Sequence, residues 1–333
     1  MKGVRFLGNR KLMVDDFPDP EPGPGQIVVA MKAAAICGSD LHRYRAEDPG
    51  PTIPGHEPCG VVAAVGHGVE RLKAGDRVMV YHIDGCGLCG TCRKGYPMYC
   101  KEMEGYGGNV HGSDADYVVA SERNAIPLGD DFSFVEGAFL ACNAGTAWQA
   151  ALELELSADD TAVIYGLGPV GQCGILVSKA MGARVIAVDP VGERRELAQE
   201  MGADEVLDGA DEGVVDSVKS LTGGDGAQVA FDFTGVPAAR QNALESVRPF
   251  GRVGLMGVPW AQEVSYKGHG YITVTSSWIY PWSSCDELMD FFRRFRLPVD
   301  KMVSECVPIA DAGRAFEIYD SYQTAGKIMF VWE

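Results

Sequence analysis

The sequence predicts an α/β protein made of a mainly β half and a half built on a doubly wound parallel sheet. Three observations predict it. From Asp160 onward, short apolar strands alternate with helical stretches, the texture of βαβ units. The first 128 residues read instead as strands separated by glycine- and proline-rich turns. Within that β-rich half, four cysteines crowd between Cys86 and Cys100 and interrupt the pattern.

Composition bounds the function. A chain of 333 residues, 46% of them hydrophobic, is long enough for two domains with real cores. The net charge of −17 repels nucleic acid and anionic membrane, so neither is an expected partner. No apolar run approaches the ~20 residues that span a bilayer. The opening Met-Lys-Gly-Val-Arg-Phe-Leu lacks the apolar core of a secretory signal, so a cytoplasmic location is expected. In that reducing compartment the ten cysteines read as metal ligands, catalytic groups or core filler rather than disulfides.

Residues 1 to 35 predict strands with turns, and the four prolines between Asp16 and Gly25 exclude helix there. The apolar run Gln26 to Ala35 suits a buried strand and delivers the chain to Cys37-Gly-Ser-Asp-Leu-His42. Those six residues offer a thiolate for a soft metal (Cys37), proton carriers (Ser39, His42) and an orienting carboxylate (Asp40). A plain buried thiol is the competing reading of Cys37. Gly55-His56-Glu57 follows, where a histidine beside glycine reaches a metal without obstruction. Gly60 to Val65 and Arg77 to Val80 read as further strands.

Cys86, Cys89, Cys92 and Cys100, interspersed with glycines, have the spacing of a closed tetrahedral zinc site. Four sulfurs leave no position for substrate, so this metal is structural; an iron–sulfur site or redox cluster is the alternative. Around residues 132 to 153 the pattern turns helical, with Cys142, on its own a core cysteine, where two runs meet.

The strand Thr161 to Tyr165 runs into Gly166-Leu-Gly168-Pro-Val-Gly171, a helix to Met181, and a strand Arg184 to Asp189. That is the context the dinucleotide fingerprint requires, with phosphates at the helix N-terminus. Further units follow at 205–207, 228–233 and 252–256, separated by helices near 211–221 and 237–248. Residues 271 to 282 read as a β-rich edge that either invites pairing with another subunit or is covered internally. A helix near Cys285 to Phe295, a helix from about Ala310 and a final strand Lys327 to Trp332 close the chain.

Together these motifs resemble the zinc-dependent medium-chain alcohol/polyol dehydrogenases across essentially the whole chain. The resemblance rests on Cys37-Gly-Ser-Asp-x-His42, Gly55-His56-Glu57, Gly75-Asp76-Arg77-Val78, the four-cysteine lobe, Cys142-x3-Thr146 and Gly166-x-Gly168-x-x-Gly171. It implies a mainly β, GroES-like catalytic domain at 1–142 and 285–333, carrying a zinc lobe at 85–101. A Rossmann domain is inserted at 143–284, with the active site between the two. It also implies two zinc ions per chain, one structural and one catalytic. The catalytic ion would rest on Cys37, His56 and Cys142, with Glu57, water or substrate completing the shell; such a Cys2His set is a known family arrangement. Asp40 would hold His56 in its ligating tautomer. Ser39 would take the alcohol proton and pass it through the cofactor ribose to His42, while Thr146 and Val170 pack on the nicotinamide.

The expected activity is oxidation of a secondary alcohol, on a polyol or sugar alcohol, with NAD as cofactor, by a homodimer or homotetramer. A simple-alcohol or threonine-type dehydrogenase is the alternative, and a non-catalytic zinc- and nucleotide-binding protein is the alternative from another class. A zinc-free quinone reductase of the same fold is opposed by the Cys37, His56 and Cys142 set. NAD is expected over NADP because Asp189, eighteen residues beyond Gly171, accepts from ribose hydroxyls and repels a 2′-phosphate. Arg194, five residues later, is expected beside the ribose and, with Arg195, forms the counterargument for NADP.

Overall fold

The strand Gln26–Ala35 carries apolar side chains on both faces, with Ile27, Val29, Ala33, Ala34 and Ala35 fully buried, and so belongs in a sheet interior. In the computed structural model, which describes residues 1–257, 271–322 and 324–333, it pairs antiparallel with three strands. These are Cys59–Val65, Tyr117–Ser121 and the chain's last strand, Lys327–Val331. Arg77–Val80 and Ala125–Pro127 extend the sheet beyond Cys59–Val65, and Val303–Val307 lies parallel to Lys327–Val331. The last strand pairs Met329 with Ala35; two residues further along the same register, Lys327 comes beside Cys37.

This sheet belongs to a unit formed by Met1–Cys142, Pro281–Arg294 and Val299–Glu333. Its apolar cores gather Ile27, Val62, Val78 and Val118, and separately Phe6, Tyr44, Phe316 and Phe330. The helix Phe134–Ala141 starts at a capping box: Ser133 Oγ accepts from Glu136 N, and the Glu136 carboxylate accepts from Ser133 N. It ends at Cys142, which leaves helical geometry at φ −142°, ψ −74°. The six-residue helix Asp40–Arg45 was not apparent in the sequence because it is shorter than two turns and shows no periodic stripe.

The second unit comprises Asn143–Tyr280 and Phe295–Pro298. Its sheet is parallel throughout, in the spatial order Glu205–Asp208, Arg184–Asp189, Thr161–Tyr165, Ala227–Asp232, Val247–Leu255, Thr273–Thr275. This is the 3-2-1-4-5-6 order of a doubly wound fold, with its switch point between the strands ending at Tyr165 and Asp232. Val163, Ile186, Ala230 and Val253 form the core against Val218 and Leu244 from the helices.

Two expectations change. The strand read at 252–256 begins earlier, at Val247, because Pro249 and the left-handed Phe250 (φ 63°) disguised its first half as a helix end and turn. The β-rich reading of 271–282 shrinks to Thr273–Thr275, since Pro281 leads into a 3₁₀ turn at Trp282–Ser284. No helix among the described residues is long and apolar enough to cross a membrane.

Candidate metal centre and dinucleotide cradle

A strand end, a turn and a helix end of the first unit converge on one buried cluster. The end of Gln26–Ala35 presents Cys37, the turn before Cys59–Val65 presents His56 and Glu57, and the end of Phe134–Ala141 presents Cys142. One ligand atom from each of these four lies within 4.8 Å of the others. Asp40 organises two of them, for its Oδ2 accepts from Cys37 N at 2.8 Å and its Oδ1 meets His56 Nδ1 at 2.9 Å. The second contact favours the His56 tautomer with Nδ1 protonated, which leaves the Nε2 lone pair for a metal. Ser39 Oγ stands 3.3 Å from that Nε2. His42 follows one helical turn later, exposed to solvent, with no hydrogen bond from its ring to Ser39 among the described residues.

The electrostatics are those of a cation site. Cys142 hydrogen-bonds Cys37 and holds that thiol well below its ordinary range, against burial; the same bond and burial push Cys142 well up. Burial disfavours a charged His56, yet Asp40 and Cys37 hold it well above the usual histidine range. Two thiols and an imidazole that share protons at this spacing form a soft donor set, and a divalent ion can replace those protons. The residues present therefore fit zinc. Glu136, the carboxylate six residues before Cys142, is occupied in the helix cap and is no competitor for the site.

Reading the sequence missed three residues beside this cluster. Lys327, fully buried, places Nζ 2.7 Å from Glu57 Oε1. Burial pushes Glu57 up to about 8 with Lys327 opposing; burial also opposes a charged Lys327, but Glu57, Tyr319, Cys37 and Cys142 together hold it well above the lysine range. His82 is buried, its ring 4.9 Å from that of His56, and burial lowers its pKa to about 3. It is neutral, with Nδ1 donating to Ala141 O at 3.2 Å, which leaves Nε2 an acceptor. Asp114 is fully buried beside Gly55, and neither carboxylate oxygen has a hydrogen-bond partner among the described residues. None of the three carried a local motif, and only long-range pairing brings them here.

The second cluster is the cysteine lobe. Cys86, Cys89, Cys92 and Cys100 also bring their sulfurs within 4.8 Å of one another. Backbone amides point at the sulfurs: Cys89 N donates to Cys86 Sγ at 3.3 Å, and Cys86 N and Glu102 N donate to Cys100 Sγ at 3.4 Å. Thr91 and the neighbouring amides lower Cys89 to about 6, and burial raises Cys92 to about 12. Such N–H donors favour thiolates, and four thiolates fit a closed tetrahedral ion.

In the second unit, the Gly-rich turn has three distinct reasons for its glycines. Gly166 sits at φ +89°, and a Cβ on Gly171 would stand 1.8 Å from Gly166 O. Gly168, at the N-terminus of the helix Pro169–Ala180, has nothing within 4 Å of where its Cβ would be. Crowding by the protein does not explain that glycine, and the open space beside it suits the close approach of a pyrophosphate. Asp189, 3% exposed, ends the next strand; its Oδ2 accepts from Leu167 N and its Oδ1 from Val191 N, both at 2.8 Å. Arg194 Nη1 lies 3.7 Å from Asp189 Oδ2, whereas Arg195 turns to Asp208 and to the backbone of Asp189. Val170 is the second residue of the helix after the turn, and Thr146 is buried in the helix Asn143–Glu153, which packs on Pro169–Ala180.

The alcohol dehydrogenase GroES-like domain signature matches residues 23–130, and the zinc-binding dehydrogenase signature matches residues 169–294. The chain is 34% identical to the zinc-type alcohol dehydrogenase-like protein YphC of Escherichia coli over 99% of its own length and 98% of that protein's. The chain belongs to the zinc-dependent medium-chain alcohol dehydrogenase family. It is thus an oxidoreductase acting on alcohol groups, with a GroES-like catalytic part and a Rossmann-like parallel sheet. The dehydrogenase is also 33% identical to the L-threonine 3-dehydrogenase of Pyrococcus abyssi, over 94% of this chain and 92% of that one. Its fold is similar to the alcohol dehydrogenase TADH from Thermus sp. ATN1, with a TM-score of 0.93 and 29% identity over 99% of both chains.

Proposed function

We propose that this dehydrogenase oxidises the secondary alcohol of a polyhydroxylated small molecule, reversibly, with NAD as hydride acceptor and two zinc ions per chain. The observation that carries the reading is the buried convergence of Cys37, His56, Glu57 and Cys142 within 4.8 Å. Cys37, His56 and Cys142 would hold the catalytic ion, and Cys86, Cys89, Cys92 and Cys100 the structural one. When bound, zinc supplies Lewis acidity toward an alcohol oxygen, and the nicotinamide supplies the hydride acceptor.

The chain's own residues do the rest. Asp40 holds His56 in the tautomer that leaves Nε2 free, and it draws the Cys37 amide into the same arrangement. The Ser39 hydroxyl, beside that Nε2, is placed to accept a proton from a substrate hydroxyl at the ion, and exposed His42 exchanges protons with solvent. Lys327 holds Glu57 in an ion pair at 2.7 Å beside the donor set. In the other unit, Gly168 gives the pyrophosphate close approach, and Asp189 receives the adenosine ribose. Arg194 flanks that ribose, and Thr146 and Val170 support the nicotinamide. The catalytic role falls to 1–142 with 285–333 and cofactor binding to 143–284.

A second reading, oxidation of a 3-hydroxy amino acid, is favoured by the likeness to the Pyrococcus abyssi L-threonine 3-dehydrogenase. The test is NAD reduction at mildly alkaline pH against polyols, sugar alcohols, L-threonine and simple alcohols, with zinc measured on the same preparation. Polyol turnover with two zinc ions per chain supports the proposal. Selective turnover of L-threonine replaces it with the second reading. Fully active protein with one zinc per chain overturns the two-ion scheme.

A further inference from the structure

In the second unit a buried arginine and a buried aspartate have no part in the chemistry described so far. Arg240, in the helix Pro237–Glu245, is 1% exposed, and Asp232, at the end of its strand, is fully buried. Arg240 Nε donates to Asp232 Oδ2 at 2.9 Å, and Arg240 Nη2 donates to Gly257 O at 2.7 Å. The other oxygen of Asp232 accepts from Thr234 N, Thr234 Oγ1 and Gly235 N. One guanidinium therefore grips the carboxyl ends of two adjacent parallel strands and, through Asp232, the loop that follows the first.

That loop reaches the Gly-rich turn. The space beside Gly166 is filled by Thr234, whose Cγ2 would stand 2.5 Å from a Cβ there. On the opposite side, a Cβ on Gly257 would meet Gly235 N at 1.9 Å. The loop is thus clamped between Gly166 and Gly257, at the switch point where a doubly wound sheet opens its ligand crevice. Stability alone does not account for the pair. Well-packed apolar residues of similar volume commonly replace a buried ion pair without loss, because both charges must be desolvated. What apolar residues cannot do is fix a backbone carbonyl and an Asx-turn loop at defined positions.

We propose that Arg240 is a positioning residue for the nicotinamide half of the dinucleotide. By holding Asp232 and Gly257 together it preorganises the loop Phe233–Gly235 on the second half of the sheet. The adenosine half depends instead on Asp189 and the turn at Leu167. The proposal rests on the NAD reading above, so its test separates the two.

The experiment measures dissociation constants of AMP and NADH, together with thermal midpoints, for the native zinc-loaded protein and two variants. Asp232→Asn with Arg240→Met removes both charges together, leaves an amide oxygen for the Thr234 loop, and releases Gly257. Arg240→Lys keeps a charge opposite Asp232, but its single nitrogen cannot hold both Asp232 and Gly257. In either folded variant NADH binding is expected to weaken about tenfold or more, the scale of a lost charged hydrogen bond, while AMP binding stays within about twofold. Unchanged NADH affinity in a folded variant overturns the proposal, as does equal weakening of AMP and NADH, which would mark a general structural role. If the native protein binds neither AMP nor NADH, the cofactor reading itself fails and this inference with it.

Discussion

On the proposed reading, cofactor choice turns on Asp189, and replacing it by serine has two consequences of different kinds. The first is electrostatic. A 2′-phosphate would sit against a carboxylate that is 3% exposed, and like charges at about 4 Å repel by roughly 1–4 kcal/mol, depending on local dielectric. That corresponds to about five- to a thousandfold in affinity, so Asp189→Ser should shift the NAD-to-NADP ratio of kcat/KM toward NADP by at least about fivefold. The second is structural. Both carboxylate oxygens are already engaged, by Leu167 N in the Gly-rich turn and by Val191 N, and each charged hydrogen bond contributes about 1.5–3 kcal/mol. Serine loses most of that, so absolute kcat/KM should fall with both cofactors. The ratio is therefore the informative quantity. Steady-state kinetics with NAD and NADP on native protein, Asp189→Ser and Asp189→Asn measure it. Asparagine removes the charge while keeping one acceptor, and should show the shifted ratio with a smaller general loss. A native preference for NADP, or a ratio that does not move in either variant, refutes the reasoning.

Lys327→Met should lower stability by about 3–5 kcal/mol, measured by denaturant unfolding, because it strands Glu57 in a fully buried site; adding Glu57→Gln should recover much of the loss. His56→Ala should abolish turnover with the thermal midpoint little changed, whereas Cys92→Ser should lower the midpoint and release zinc, since metal binding in the lobe is folding energy. Asp114→Asn should stabilise the protein by about 1–3 kcal/mol at neutral pH, because the native carboxyl is buried without a partner. Burial and Asp40 raise the Asp114 pKa in the folded state, so the native protein loses stability as pH rises above the unfolded value of about 4. The advantage of asparagine should therefore vanish on acidification, and thermal melts across pH check the sign.

The sequence was informative wherever chemistry was local. A turn of three glycines between a strand and a helix, or four cysteines within fifteen residues, states its structural need in adjacent letters. Cys37, His56 and Cys142 lie far apart in the chain, and only the resemblance joined them; the fold does bring their ligand atoms together. What escaped notice depends on pairings across the chain. Lys327 lies 270 residues from Glu57, and nothing near it distinguishes it from a surface lysine. Nothing adjacent to Arg240 in the sequence marks its burial, which depends on Asp232 and Gly257 across the fold. The β run at 271–282 does lie at the sheet edge but was read too long for the complementary reason, since β-branched and aromatic letters state a preference for a sheet without saying where the pairing stops.

Lys327 also bears on why the centre is assembled from thiolates and a carboxylate at all. Two thiolates balance a divalent ion, so a third anion beside them would have to be neutralised or protonated in a place with no water to screen it. The last strand solves this by register. Pairing Met329 with Ala35 brings an ammonium to the one point where it can meet Glu57 at 2.7 Å. With an ion bound as proposed, the charges would cancel within two separate pairings, the donor set with the ion and Glu57 with Lys327, while Asp40 is satisfied by His56 and the Cys37 amide. Because the second pairing does not draw on the ion, removing zinc should leave the Glu57–Lys327 contact in place. Glu57 would then enter the metal shell only when Lys327 is withdrawn, so the charge at the site is governed by a residue from the opposite end of the chain.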